Sequence, residues 1–215
     1  SIFVDRSEPQ RRKPRLGVKL FMKDRDTVST FTDFINYSTP PQGAEKPIKV
    51  IDYISKDKNR SDLFAAMVRD RRAEHFMRTF YPLLFSHRRE QIDKSLKECN
   101  LLCVNNKERA ALNDEQILIY LAGLCEAEGC FYSPRKKYPK INISMSDKDI
   151  MFFIKNWINK TLPPQDNRGD FVKVNSQSRK ENRKDMFYIN ITGKRAISLM
   201  EKFYPYMSER RKKSI

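Results

Sequence analysis

Apolar positions in the second half of the chain repeat with two different periods. In residues 140–145 the apolar Ile141, Ile143 and Met145 alternate with polar neighbours, which predicts a strand with one buried face. In residues 147–162 the period lengthens to that of a helix, which ends at a double proline. The apolar stripe of this helix contains Ile150, Phe153, Ile154, Trp157 and Ile158.

Two further strands and a helix follow in the same half. Residues 171–177 and 185–192 alternate again, and residues 195–207 return to the helical period. With an apolar helix before residue 130 and a strand after it, the predicted order is helix, two strands, helix, two strands, helix. This order predicts an α+β fold. The residues expected to face the core are Val172, Val174, Phe187, Ile189, Ile191, Ala196, Leu199, Met200 and Phe203.

The first half of the chain repeats the pattern of the second. A shift of 123 residues aligns residues 17–92 with residues 140–215 without a gap, and identical residues recur throughout. For example, the Pro-Pro-Gln at residues 40–42 recurs at residues 163–165. The fold class predicted from this repeat is α+β with two pseudo-symmetric αββαββα halves.

The repeat divides the chain into three parts. Residues 1–92 form a first half, residues 93–112 a polar and partly helical linker, and residues 113–215 a second half. Residues 1–5 match the strand that follows the first helix of the second half, so the first half is predicted to lack that helix. We expect the missing helix either to lie upstream in a longer polypeptide or to be replaced by another molecule.

Residues 121–129 read Leu-Ala-Gly-Leu-Cys-Glu-Ala-Glu-Gly and form the last part of the apolar helix. Gly123 and Ala127 are four residues apart, so they share one helix face and leave it nearly flat. Such a face lets a second helix approach closely, and it predicts a helix-packing interface. Glu128 falls in the last turn, where a carboxylate opposes the helix dipole, which indicates a nearby cation. Gly129 is expected to end the helix.

This stretch resembles the LAGLIDADG motif of the homing endonucleases and related intron maturases. The resemblance implies two four-stranded sheets laid over duplex DNA, and one catalytic acid from each of two motif helices, which together bind Mg²⁺. Glu128 matches the catalytic and metal-ligand position, whereas Glu126 is expected to be structural. Lys212 matches a basic residue near the active centre, and Arg89 is its first-half equivalent. Because only one motif helix is visible, the chain supplies one of the two acids.

Nucleic-acid contacts are expected at two kinds of position. Basic hairpin tips suit phosphate contacts, and polar strand residues suit the reading of base edges. The basic tips are Arg11, Arg12 and Lys13 in the first half and Arg135, Lys136 and Lys137 in the second. The polar strand residues are Lys140, Asn142, Ser144, Lys173, Asn175, Tyr188 and Asn190.

The matching strand positions of the first half are less polar. Apolar side chains read base edges poorly, so either the register differs there or this half binds RNA bases by stacking or a protein surface. At a shift of 123, the counterparts of Ser144, Lys173, Tyr188 and Asn190 are Phe21, Val50, Ala65 and Met67.

Composition narrows the range of partners. The chain of 215 residues has 43 Lys plus Arg against 27 Asp plus Glu, a formal charge of +16. This excess favours a polyanion, most often nucleic acid, and no apolar run is long enough to span a membrane. The four cysteines contain no C-x-x-C pair and are interpreted as reduced thiols in an intracellular compartment. The family resemblance implies an organelle, a mitochondrion or a chloroplast.

Two functions from different classes are consistent with these features. The first is a Mg²⁺-dependent homing endonuclease that cuts a long DNA site. The second is an inactive descendant that needs no metal and binds RNA, as an intron-splicing maturase or as a structural component of an organellar ribosome or other ribonucleoprotein. A DNA-binding regulator on the same fold ranks below both. In the first two cases we expect a further helix or chain to pack on Gly123 and Ala127.

Overall fold

The computed structural model describes residues 2–5, 14–55, 61–105, 108–133, 138–163, 171–178 and 185–213. The chain forms two compact units, Ser1–Ala111 and Leu112–Ile215. Each unit contains one four-stranded antiparallel sheet with helices packed against it, which confirms the predicted α+β class. Within these ranges, no helix is both long and apolar enough to cross a membrane.

The first unit begins with two strands, as predicted. Its strand order across the sheet is β1-β2-β4-β3. Its elements are β1 (Ile2–Asp5), β2 (Arg15–Met22), α1 (Arg25–Ser38), β3 (Ile51–Tyr53), β4 (Leu63–Arg69), α2 (Asp70–Phe80), a 3-10 turn (Tyr81–Leu83) and α3 (Ser86–Glu98). The core contains Leu16, Val18, Ile35, Val68, Ala73, Met77, Tyr81, Ile92 and Leu96.

The second unit has the same order after an additional helix. Its strand order across the sheet is β5-β6-β8-β7. Its elements are α4 (Asp114–Glu128), β5 (Gly129–Tyr132), β6 (Lys140–Met145), α5 (Lys148–Thr161), β7 (Asn175–Gln177), β8 (Met186–Thr192), α6 (Lys194–Phe203), a 3-10 turn (Tyr204–Tyr206) and α7 (Glu209–Lys212). The most deeply buried side chains include Leu121, Ile141, Ile143, Ile154, Ile189, Leu199 and Phe203.

The buried stripe of α5 differs from the prediction at one position. Met151 is fully buried, whereas Phe153 is only half-buried. Met151 lies three residues before the buried Ile154, on the same side of the helix. Phe153 instead approaches Tyr120, and the two ring centroids are 6.4 Å apart. The helix therefore faces its sheet at a slightly different angle from the one that the sequence predicted.

An amide clamp precedes the edge strand of each sheet. The Asn36 side chain donates to the Ile48 carbonyl and accepts from the Ile48 N–H, both at 2.9 Å. Asn159 makes the same pair of 2.9 Å bonds with Val172. Because this amide uses both backbone groups of Val172, the strand predicted over residues 171–177 is confined to β7.

The repeat keeps a shift of 123 residues in most elements but not at the edge strands. Helices α1 and α5, and strands β4 and β8, have bounds that are 123 positions apart. The edge strands are shifted by 124, because Ile51 lies opposite Ala65 whereas Asn175 lies opposite Tyr188. The second unit therefore has one additional residue between its clamping asparagine, Asn159, and the clamped residue, Val172.

This slip corrects one of the predicted counterparts. Lys173 corresponds to Lys49, and its alignment with Val50 is wrong. Both lysines are exposed and both lie one residue after the clamp. The pairing of Phe21 with Ser144 keeps the shift of 123, because β2 and β6 pair with β4 and β8 in the same register.

Helix α3 extends across the predicted boundary at residue 92. It inserts Ile92 and Leu96 into the core of the first unit. The helix ends near Asn100, whose φ is 56°, and the Leu101 N–H donates to the Leu96 carbonyl at 2.9 Å. The stretch from residue 93 to residue 111 therefore lies within the first compact unit.

Both units turn through a residue with positive φ directly after their last strand, β4 or β8. Gly193, with φ 64°, precedes α6, and Asp70, with φ 53°, begins α2 at the equivalent position. A residue other than glycine costs roughly 1–3 kcal/mol at such a φ. The Asp70 carboxylate accepts hydrogen bonds from Nε and Nη2 of Arg15, which hold it in place.

Candidate nucleic-acid interface

Helix α4, which carries the motif, begins with a capping box. The Asn113 side chain accepts from the Gln116 N–H at 2.8 Å, and the Gln116 side chain accepts from the Asn113 N–H at 3.1 Å. The Trp157 indole on α5 donates to Asp114 Oδ1 at 3.2 Å. The motif therefore lies at the end of a helix whose start is fixed by side-chain hydrogen bonds.

The two carboxylates of the motif have opposite environments. Glu128 is exposed, whereas Glu126 is buried. Ser208 donates to the Glu126 carboxylate through its N–H at 3.1 Å and through its hydroxyl at 2.8 Å. Arg211 donates to the Glu126 carbonyl at 2.9 Å, and its Nε lies 3.7 Å from the carboxylate. These contacts agree with the structural role expected for Glu126, and they attach α7 to α4.

Gly129 ends α4 in an extended conformation, with φ −81° and ψ 146°, and not in the left-handed one that a glycine cap predicts. A Cβ at Gly129 would overlap the backbone of Cys125, so the close approach requires glycine. Burial raises the pKa of the Cys125 thiol to about 12, so this group is a protonated core side chain. All four cysteines, Cys99, Cys103, Cys125 and Cys130, are free thiols.

The flat face of α4 is open in the described chain. Gly123 and Ala127 are exposed, and Ile119, one turn earlier on the same face, is 45% exposed. A Cβ at Gly123 would meet no atom within 4 Å. There is room for a partner helix on this face, and the helix-packing interface stays a prediction.

Lys212 lies on α7, which Glu126 attaches to the motif helix. Its ammonium donates to Glu209 Oε1 at 2.8 Å and lies 5.7 Å from the centroid of the Tyr204 ring. Lys212 lies on α7 and the exposed Glu128 lies on α4, and the contacts of Glu126 hold these two helices together. The catalytic roles of these two residues stay predictions.

The second sheet carries a polar surface on the side away from its core. In the cross-strand register Asn142 faces Asn190, and Tyr188 lies between Ser144 and Asn175. Asn142 Nδ2 donates to Asn190 Oδ1 at 2.7 Å. We call this surface the second outer face; it contains the predicted residues Lys140, Asn142, Ser144, Asn175, Tyr188 and Asn190.

Four exposed residues of the second outer face were missed in the sequence. Cys130 and Tyr132 on β5 face Asn142 and Lys140, and Thr192 on β8 faces Lys140 from the other side. Gln177 extends the same side of β7. All four are exposed. The alternation that identified their neighbours also covers them, because every second residue of a strand points to the same side.

The remaining predicted contacts lie beside this face or outside the described residues. Lys173 is exposed and precedes β7, so it lies next to the sheet. The basic tips fall outside the described residues, and their phosphate contacts stay predictions. These tips are Arg11, Arg12 and Lys13, and Arg135, Lys136 and Lys137.

A magnesium site does not assemble from the residues that the structure describes. Among them, no group of three or more His, Cys, Asp or Glu side chains could hold a metal ion. Mg²⁺ in proteins is bound by carboxylates together with waters and substrate phosphates. The exposed Glu128 supplies one such carboxylate where the resemblance implies two acids. The described residues therefore do not by themselves fit the implied Mg²⁺ site.

Comparison with known proteins gives no sequence match but clear structural ones. No protein-family model matches the chain, and no curated protein matches it. A crystal structure of I-DmoI in complex with DNA and manganese matches with a TM-score of 0.52 and 12% identity, over 94% of this chain and 87% of that one. A structure of I-DmoI with DNA and calcium gives a TM-score of 0.51 and 12% identity, over 94% and 81% of the two chains.

I-DmoI is a homing endonuclease, and the match to it extends over nearly the whole of both chains. The N-terminal LAGLIDADG domain of DUF199/WhiA is also similar, with a TM-score of 0.45 and 11% identity, over 93% of this chain and 74% of that one. The two sheets, their strand order and the helix at the start of the second unit agree with the α+β fold that the motif implied. The chain therefore has the fold of the LAGLIDADG homing endonucleases.

Proposed function

We propose that the chain binds duplex DNA and that the second outer face reads the base sequence. The observation that carries this proposal is the row of polar side chains across three strands, with the Asn142–Asn190 amide pair next to it. An amide has two donors and two acceptor lone pairs, so this one bond leaves both residues with groups for a base edge. Asparagine can bind N6 and N7 of adenine in the major groove.

The charge of the chain supports the same proposal. An excess of 16 positive charges favours a polyanionic partner, and phosphate contacts supply affinity that does not depend on sequence. I-DmoI, which has the same fold, was solved in complex with DNA. A polar sheet face then supplies the discrimination between sequences that charge cannot supply.

The test starts from a pool of random duplexes, because the target sequence is unknown. Duplexes bound by the wild-type protein are selected and sequenced, and affinity for the enriched site is measured by fluorescence anisotropy. Asn142→Ala and Asn190→Ala should each weaken this site about tenfold, since one base contact contributes roughly 1–3 kcal/mol of discrimination. Their affinity for an unrelated duplex should change less than about twofold.

Asn156→Ala is the matched control, because Asn156 is an exposed asparagine on α5 of the same unit. It should leave both affinities unchanged. The proposal fails if no sequence is enriched, or if Asn142→Ala and Asn190→Ala behave like Asn156→Ala.

We propose Glu128 as the residue on which DNA cleavage depends, provided that a helix packed on the face of Gly123 and Ala127 supplies a second acid. The test incubates the enriched duplex and Mg²⁺ with the protein in a form that includes such a helix. In that form, Glu128→Gln should keep duplex binding and abolish cutting, and Lys212→Gln should slow it. If the protein with this helix binds the duplex but does not cut it, cleavage is refuted and DNA binding stands.

A further inference from the structure

The first sheet presents an aromatic surface where the second sheet is polar. In the register of β2, β4 and β3, one row contains Phe21, Ala65 and Ile51. The equivalent row of the second sheet contains Ser144, Tyr188 and Asn175. We call this surface of the first sheet the first outer face; it contains Phe3, Arg15, Lys19, Phe21, Ile51, Tyr53, Ala65, Met67 and Arg69.

Two aromatic rings on this face are exposed. Phe21 is 46% exposed and Tyr53 is 44% exposed. Their centroids are 5.4 Å apart and their planes are at 69°, an edge-to-face arrangement. Ala65 beneath them is fully buried, so the rings lie on a covered support. The rings are therefore held by packing and still present area to a partner.

A third ring is packed on the same side of the sheet. Phe3 on β1 lies across Gly17 on β2, its direct cross-strand neighbour. A Cβ at Gly17 would overlap the Phe3 ring, so the ring is held close to the backbone because this residue is glycine. Aromatic area on the first outer face thus extends from β1 to β3.

Positive charge accompanies the rings. The Lys19 ammonium lies 4.7 Å from the Phe21 centroid and 5.5 Å from the Tyr53 centroid. Arg69 lies on the same side of β4, as the register of the strands shows, whereas Arg15 on β2 is paired with Asp70. Rings and cations together match the chemistry of unpaired nucleotides, in which a flat base lies next to a phosphate.

Base edges in a duplex are a poorer match to this face. Phenylalanine and isoleucine have no donor or acceptor for the pattern in the major groove, and the methionine sulfur is only a weak acceptor. An unpaired base exposes a π-face that can lie on a ring whatever its identity. An apolar protein surface would match the rings, but it would not interact favourably with the Lys19 ammonium beside them.

We infer that the first outer face binds unpaired nucleotides. A base stacks on Phe21 or Tyr53, and Lys19 neutralises the adjacent phosphate. This site is separate from the duplex-reading residues of the second unit and does not depend on them. Single-stranded DNA and RNA share this chemistry, and both are included in the test.

The test measures anisotropy with labelled twelve-nucleotide oligo(dT) and oligo(rU), and with a duplex of random sequence. The double variant Phe21→Leu/Tyr53→Leu keeps apolar area but removes both π-faces. It should weaken binding of the oligonucleotides about tenfold or more, because stacking contributes roughly 1–3 kcal/mol per base. Duplex affinity should change less than about twofold. A larger effect on oligo(rU) than on oligo(dT) would assign the site to RNA.

Phe152→Leu is the matched control for an exposed ring with nearby lysines. Phe152 on α5 is 41% exposed, with Lys148 and Lys155 at 5.8 Å and 5.4 Å from its centroid. It should leave every affinity unchanged. The inference is overturned if Phe21→Leu/Tyr53→Leu binds the oligonucleotides like wild type, in which case an apolar protein surface is the better match for the face. It is also overturned if Phe152→Leu loses as much affinity.

Photocrosslinking of the wild-type protein supplies a test that requires no variant to fold. Oligonucleotides that carry 5-iodouracil are irradiated in the complex, and the modified peptides are identified by mass spectrometry. Crosslinks should appear on peptides that contain Phe21 or Tyr53. Crosslinks confined to peptides of the second unit would overturn the inference and leave duplex binding by the second outer face unaffected.

Discussion

The outer faces of the two sheets occupy equivalent positions of the repeat but carry different chemistry. The second presents amides and hydroxyls, whereas the first presents Phe21, Ile51 and Tyr53. The inward side is alike in both, since Ile189 of β8 and its counterpart Ala66 of β4 are both fully buried. Packing constrains the inward residues and leaves the outward ones free to differ, so we expect the two units to differ in partner and not in fold.

The C-terminal helices of the two units are held by different interactions. In the second unit, α7 is attached through the buried Glu126. In the first, α3 is attached through the core residues Ile92 and Leu96, and Arg89 donates to the carbonyls of the preceding 3-10 turn at 3.1 Å and 3.0 Å. The two helices therefore depend on different contacts: a buried carboxylate in the second unit, and apolar packing together with the hydrogen bonds of Arg89 in the first.

Glu126→Ala should have the largest effect on stability and should act on the second unit. It removes the acceptor for both Ser208 donors and leaves Arg211 without its buried carboxylate, which costs roughly 3–5 kcal/mol of unfolding free energy. The single tryptophan, Trp157, lies in this unit and reports its unfolding in urea by fluorescence.

Glu128→Ala, two residues further along the same helix, is the matched control. Its carboxylate is exposed, so its removal should change the unfolding free energy by less than about 0.5 kcal/mol. Equal losses from the two substitutions would contradict the assignment of Glu126 as the attachment point of α7.

Alkaline pH should destabilise the first unit through Tyr81. Burial, together with the hydrogen bond to Asp93, raises the pKa of Tyr81 from 10 to about 12. The folded state therefore favours the protonated phenol, and this contribution is complete below pH 10 and lost as the pH rises to about 12. The difference corresponds to roughly 3 kcal/mol, and urea unfolding followed by circular dichroism at several pH values measures it.

Tyr81→Phe should remove this part of the pH dependence, because the phenol no longer ionises. Tyr204 is the counterpart of Tyr81 in the second unit and is 48% exposed. Tyr204→Phe should leave the alkaline slope of the unfolding free energy as in the wild type. The explanation fails if both substitutions flatten the slope equally.

Exchange of the two turn residues should have the smallest effects, and unequal ones. Gly193→Asp places a side chain at φ 64° and should cost roughly 1–3 kcal/mol. Asp70→Gly relieves a similar conformation but loses the partly exposed pair with Arg15, so the net change should stay within about 1 kcal/mol. Thermal unfolding of the two variants compares them. Equal loss of stability in the two variants would contradict the expected difference between the two turns.

Short-range periodicity was enough to predict most elements and the polar strand faces. The alternation through Ile141, Ile143 and Ile189 followed from the two-residue period of a strand, and it also placed Asn142 and Asn190 on the outer side. The motif located α4 and distinguished Glu126 from Glu128. These features are local, so the sequence of one element determines them.

Features that depend on contacts between distant residues could not be predicted. The Asn159 clamp on Val172 shortens β7, and the additional residue before Val172 offsets the edge strand by one position along the repeat, which an alignment without gaps cannot detect. The contact of Ser208 with Glu126, 82 residues apart in the chain, depends on how α7 meets α4. Neither a hydrophobic period nor a sequence motif indicates which residues form these contacts.

The asparagine clamps have a practical consequence for labelling this chain. The interval from clamp to edge strand is the same in both units, so the additional residue of the second unit is absorbed entirely before Val172. The length of the loop before a clamp therefore does not affect the pairing of the strand after it. A short peptide tag or an encoded fluorophore inserted ahead of Ile48 or Val172 should leave both sheets in register, and would report on each unit separately.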